Sequence, residues 1–153
     1  MNKFYTAPSV DNTEENKGRR IFLAGTIDMG NSEDWQEEVG YQVIQRSITQ
    51  GNGIHYIYNP RRIEGFKNED QEEQIQWELD HLDKADTILM NLLPSSRSPI
   101  SLLELGLYAK SGKLIVVCPK EFYRYSNVRI ICEKYKIPLY SSIGKVRILN
   151  LVR

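Results

Sequence analysis

Two cysteines and two histidines are all that this chain of 153 residues carries. Cys118 and Cys132 match no metal or redox spacing, and His55 and His81 are far apart with no ligand-like relation to the thiols. These absences exclude the common zinc and thiol-redox sites and predict reduced thiols in a cytoplasmic protein. Charge of one sign is also missing: 20 Lys and Arg are matched by 20 Asp and Glu, so there is no basic excess to bind a nucleic acid polymer. No apolar run reaches the length of a membrane span. The stretch from Met1 to Lys17 is polar and acidic rather than signal-like. There is no phosphate-cradling Gly-Lys-Ser/Thr loop, and Gly25 and Gly30 lack the third glycine of a dinucleotide fingerprint. The absence of a Gly-x-Ser-x-Gly elbow argues against a serine hydrolase.

What is present reads as one α/β domain, long enough to bury a core without staples. Residues 1–17 are predicted to be a flexible N-terminal arm, since Ser9 to Asn16 are polar apart from Val10. Arg20 to Gly25 reads as a buried strand. Ser32, followed by three residues including two acids, predicts a helix start, and the helix runs to about Thr49. A second strand spans Ile54 to Tyr58 and stops at Asn59-Pro60. A charged loop, Arg61 to Asp70, leads to a helix over Gln71 to Lys84, with Ile75, Leu79 and Leu82 as its apolar positions. Asp86 to Leu92 is a third strand, Lys113 to Cys118 a fourth, Ser126 to Lys136 a helix, and Pro138 to Tyr140 a short fifth strand. Lys145 to Val152 is expected to be an edge strand or a subunit contact. This alternation implies a doubly wound parallel sheet of about five strands, with ligands bound past the carboxyl ends of the strands.

One residue stands out. Glu104 lies inside Ser98-Pro-Ile-Ser-Leu-Leu-Glu-Leu-Gly-Leu-Tyr-Ala109, where the positions three and four away are Ile100, Ser101, Leu107 and Tyr108. An acid on an apolar helix side is not part of a solvated stripe. Pro99 suits a first helical turn, which predicts that the helix dipole holds Glu104 anionic while its surroundings desolvate it. Such a group can attack an electrophilic carbon; an ion pair with an unseen Arg or Lys is the plainer reading. Three further constellations sit at expected strand ends. Gly25-Thr26-Ile27-Asp28 can offer backbone N–H groups and a hydroxyl, or serve only as a tight turn. Arg61 and Arg62, after Asn59-Pro60, can clamp a phosphate or carboxylate, or merely face solvent. Glu78 and Asp86 bracket the end of the second helix and the start of the third strand.

The blocks Ile21-Phe-Leu-Ala-Gly-Thr-Ile27, Trp77-Glu78 with Ala85-Asp86, and Leu103-Glu-Leu-Gly106 resemble the nucleoside 2-deoxyribosyltransferase-like superfamily, which includes nucleoside 5′-monophosphate N-glycosidases. The likeness runs over about residues 20–140 and is nearest to short phage and bacterial forms, which makes residues 18–153 a domain of that kind. It implies a flavodoxin-like sheet and a Glu nucleophile, here Glu104, that attacks C1′ of a (deoxy)ribose and forms a glycosyl ester. Glu78 stands where the family has an Asp that helps bind sugar or base. Phe22 replaces a first-strand tyrosine that orients the nucleophile. Ser98 replaces an Asp that assists with the base in many transferases, and matches a serine that contacts the 5′-phosphate in the monophosphate N-glycosidases.

The expected activity is therefore cleavage or transfer of the N-glycosidic bond of a nucleoside or nucleoside 5′-monophosphate. Gly25, Thr26, Ile27, Asp28, Asn59, Arg61, Glu78, Asp86, Ser98 and Asn127 are the expected substrate contacts. No metal or organic cofactor is implied. The resemblance also implies a homo-oligomer, with Tyr125 and Asn127 as donors to a neighbouring site. The rival expectation is a non-catalytic protein that captures a nucleotide derivative in the same pocket.

Overall fold

The computed structural model describes residues 3–14, 18–51 and 55–146. Six parallel strands form one sheet in the order β1-β3-β2-β4-β5-β6. They are β1 (Lys3–Thr6), β2 (Arg19–Gly25), β3 (His55–Asn59), β4 (Thr87–Asn91), β5 (Leu114–Val117) and β6 (Leu139–Tyr140). The central strands carry apolar residues on both faces, as a sheet covered on both sides requires. Helix α1 (Trp35–Gln50) covers one face, packing Trp35, Val39 and Val43 on Ile21, Leu23, Ile57 and Leu89. The other face carries α2 (Gln71–Lys84), α3 (Pro99–Tyr108) and α4 (Tyr125–Tyr135), which close over Phe22, Ala24, Ile88, Met90 and Val116. This is the expected flavodoxin-like α/β domain.

Four local expectations are corrected. Residues 3–6 are the sixth strand rather than a loose arm. Phe4 fills the space beside Gly40, where an added Cβ would fall 2.2 Å from its ring. Polarity misled at Asp11 as well, because that carboxylate is buried in an ion pair with Arg20. Helix α1 begins at Trp35. The Ser32 hydroxyl is used on the Ile27 carbonyl (2.8 Å), and Asp34 caps instead, accepting from the Glu37 N–H. On α2, Ile75 and Leu79 face outward, whereas Gln74, Trp77, His81 and Leu82 are buried. Ile54 and residues 147–152 of the expected terminal segment lie outside the described residues.

Candidate active site

Connections leave the adjacent strands β2 and β4 toward opposite faces, α1 on one side and α3 on the other. In open α/β sheets the crevice at such a switch point is where ligands bind. A cavity of about 370 Å³ lies there, bounded by the turn after β2, the segment from Phe66 to Asp70, the α2 face of Gln74 and Glu78, and the start of α3. That volume is at the small-molecule end of ligand sites. The turn is forced close to β4: Gly25 has φ +121°, and a Cβ there would fall 2.1 Å from the Asn91 carbonyl. Thr26 N–H then donates to that same carbonyl (2.9 Å). Asp28, Met29 and Ser98 all have positive φ, between 45° and 55°. For residues other than glycine this costs roughly 1–2 kcal/mol each, and such strain clusters at functional sites.

Glu104 lines the cavity at 9% exposure, and its Oε2 is buried with no hydrogen-bond partner among the described residues. It is the sixth residue of α3, beyond the first turn in which the dipole acts. The expected anion-holding effect is therefore absent, and no cation among the described residues pairs with it. Burial, with the Glu78 carboxylate adding repulsion, pushes its pKa up to about 8. Burial raises Glu78 too, but opposing groups restrain the shift. Gln74 Nε2 donates to Glu78 Oε1 (2.9 Å) and to the Pro60 carbonyl (2.8 Å), while Arg62 Nε donates to Gln74 Oε1 (2.6 Å). Two facing acids thus sit in unequal surroundings, Glu78 supported and Glu104 bare.

Six expected site residues meet at this cavity: Gly25, Ile27, Asp28, Glu78, Ser98 and Glu104. The others do not reach it. Thr26 is buried, its hydroxyl accepting from Leu93 N–H (2.9 Å) and bonded to Ser98 Oγ (2.7 Å). Asn59 is buried and caps Arg61 N–H (3.0 Å). Arg61 is not a phosphate clamp, because it straps the turn after β2 through the carbonyls of Gly30, Ser32 and Glu33 and an ion pair with Asp34. Asp86 precedes β4, at the amino ends of the strands and away from the cavity, and accepts from Arg20 N–H (2.8 Å). Asn127 lines a separate groove between α3 and α4. His55 and His81 are buried in hydrogen bonds with Ser47 and with Trp77 and Asp11.

Gln74 and Phe66 were not anticipated. Gln74 is four residues before Glu78, a spacing that brings helix side chains together, so its support was open to detection. Phe66, Met29, Ile75 and Ile100 give the cavity an apolar wall that suits a flat ring. Neither Phe66 nor Met29 belongs to a periodic segment, and sequence offered no signal for them.

The model of the family described as nucleoside 2-deoxyribosyltransferase like matches residues 18–122, over half of the chain. No curated protein matches it. The chain belongs to the nucleoside 2-deoxyribosyltransferase-like family, whose members handle nucleosides. Glu104, Glu78 and Ser98 fall inside the matched residues, and Asn127 falls beyond them.

Proposed function

We propose that this protein breaks the N-glycosidic bond of a (deoxy)nucleoside substrate, with Glu104 as the nucleophile. The observation that carries the reading is the unpartnered, buried Oε2 of Glu104, lining a cavity of nucleoside size opposite a second acid. An ionised Glu104 attacks C1′. The C1′–N bond pair leaves with the base, which takes a proton from solvent, and a glycosyl ester remains on Oε. Water or a second base then attacks C1′ and releases the carboxylate. Two carboxylates in a poorly solvated site are unfavourable when empty. Positive charge developing on the sugar relieves that repulsion, so the gain appears chiefly in the transition state. Phe66 and its apolar neighbours would hold the base, and Glu78 would accept from a sugar hydroxyl.

A homo-oligomer belongs to the same reading. On α3 the apolar stripe Ile100, Leu103 and Leu107 is 57%, 61% and 58% exposed beside the cavity, an unusual fate for three aliphatic side chains on one face. Tyr125 and Asn127 of a neighbouring copy are our choice for completing the site, and light scattering in solution tests the assembly. A cytoplasmic location goes with it. Both thiols are free and buried, which suits a reducing compartment.

The activity test is incubation with a panel of 2′-deoxynucleosides and their 5′-monophosphates, with free base read by chromatography. Base release that disappears in Glu104→Ala supports the reading, as does a glycosyl adduct on Glu104 found by mass spectrometry after quenching. No turnover across the panel, with ligand binding unchanged by Glu104→Ala, would overturn it in favour of a capture protein.

A further inference from the structure

Three hydroxyls and one carboxylate form a single chain beside the cavity. Ser96 Oγ donates to Asp28 Oδ1 (2.6 Å), and is 2.9 Å from Ser98 Oγ, which is 2.7 Å from Thr26 Oγ1. A carboxylate only accepts, and a hydroxyl has one proton to give. The proton of Ser96 is used on Asp28, so Ser98 must donate to Ser96, and Thr26 must donate to Ser98. Every hydroxyl proton of the chain is committed toward Asp28. Ser98, which also accepts from Thr26, has no proton left to offer a phosphate.

The charges around the cavity point the same way. Its lining includes Asp28, Asp70, Glu78 and Glu104, and Lys67 is the one lysine or arginine among the lining residues. Two nearby arginines are engaged elsewhere, Arg61 on backbone carbonyls and Arg62 on Glu73 and Gln74, and the exposed Arg97, 6.0 Å from the centre of the Tyr123 ring, does not line the cavity. Asp28 Oδ2, by contrast, has no hydrogen-bond partner among the described residues, and Asp28 is exposed at the cavity wall. It is an open acceptor, suited to a neutral hydroxyl and repelling a dianion.

We propose, resting on the N-glycosidic reading, that Asp28 is a specificity-determining residue that selects a substrate with a free 5′-hydroxyl over its 5′-monophosphate. On this proposal Ser98 supports Asp28, in place of the 5′-phosphate contact that the resemblance implies for a serine there. A like-charge contact of this kind discriminates by about 100-fold.

The experiment compares one 2′-deoxynucleoside with its own 5′-monophosphate, by kcat/KM for base release and by calorimetric Kd on the unmodified protein and on Asp28→Asn. Asparagine tolerates the positive φ at this position, and Asp28→Gly is a second variant that keeps the backbone and removes the charge. The expected result is a preference for the nucleoside that shrinks about tenfold or more in both variants, with the monophosphate gaining in absolute terms. Equal use of the two ligands by the unmodified protein, or a preference unchanged in both variants, overturns the proposal. If no base is released from either ligand, the N-glycosidic reading fails, but the ratio of the two Kd values still decides the role of Asp28.

Discussion

Two buried carboxylates in this molecule have opposite fates. Asp11, whose side chain is fully buried, meets Arg20 at 3.3 Å and Lys84 at 3.7 Å, and accepts hydroxyl protons from Thr13 and Tyr58. Burial would raise its pKa, but those hydrogen bonds and the Lys84 charge hold it well below the usual carboxylate range. Glu104 has comparable burial, no donor on Oε2 among the described residues and another acid for a neighbour, and its pKa rises to about 8. Burial alone therefore says little about an acid's purpose; its partners decide. Asp11 ties the segment after β1 to β2, β3 and α2. Glu104 has no such ties among the described residues, and the ligand of the proposed reaction would relieve its cost.

Exchange of each acid should separate the two roles most sharply. Glu104→Gln is expected to lower kcat/KM for base release by about ten-thousand-fold while the protein stays folded. Asp11→Ala should do the reverse. Stripping Arg20 of its carboxylate costs about 3–5 kcal/mol, a fall of about 10 °C in melting temperature, with the cavity chemistry retained in the folded fraction. A Glu104→Gln variant that unfolds, or an Asp11→Ala variant as stable as its parent, would erase the contrast.

The pH dependence of stability should carry opposite signs at the two sites. The pKa of Glu104 is higher folded than unfolded, so the folded chain keeps a proton that the unfolded chain loses above about pH 4.5. Stability is therefore lost as pH rises from about 4.5 to 8 and levels off above that. For Asp11 the folded value is the lower one, so its contribution is present above the unfolded value of 3.8 and is lost as pH falls below it. Denaturant titrations should show Glu104→Gln gaining about 4–5 kcal/mol over the parent at pH 8.5 and little at pH 4.5. An equal difference at both pH values would mean that Glu104 titrates normally.

Sequence carried the sheet, the helices and the burial of Glu104 because each depends on local pattern: apolar runs ending at Gly25 or Asn59-Pro60, and an acid among leucines. It missed β1, where Phe4 matters only because Gly40, 36 positions away in the chain, leaves room for its ring. It misassigned Arg61 and Thr26 for a related reason. Residue type shows what a side chain is able to bind, whereas the fold decides whether another part of the chain has already bound it. Asp86 shows the topological version of the same limit, since an acid beside a strand is useful to this site only at the carboxyl end.

The smallest expected effect tests how the second acid tunes the first. Gln74→Met removes the amide that donates to Glu78 Oε1 at 2.9 Å, and leaves Glu78 less able to stay ionised. Considered alone, losing a donor should raise a carboxylate's pKa. At Glu104 the consequence is inverted, because a more protonated Glu78 repels the neighbouring anion less. The rising limb of kcat/KM against pH, which follows ionisation of Glu104 in the free protein, should then move from about 8 toward lower pH. The plateau should fall by less than about tenfold, since Gln74 touches only Glu78's support. A limb that stays fixed or moves to higher pH would uncouple the two acids. Glu104 would then owe its raised pKa to burial alone, and Glu78 would be reduced to a sugar contact.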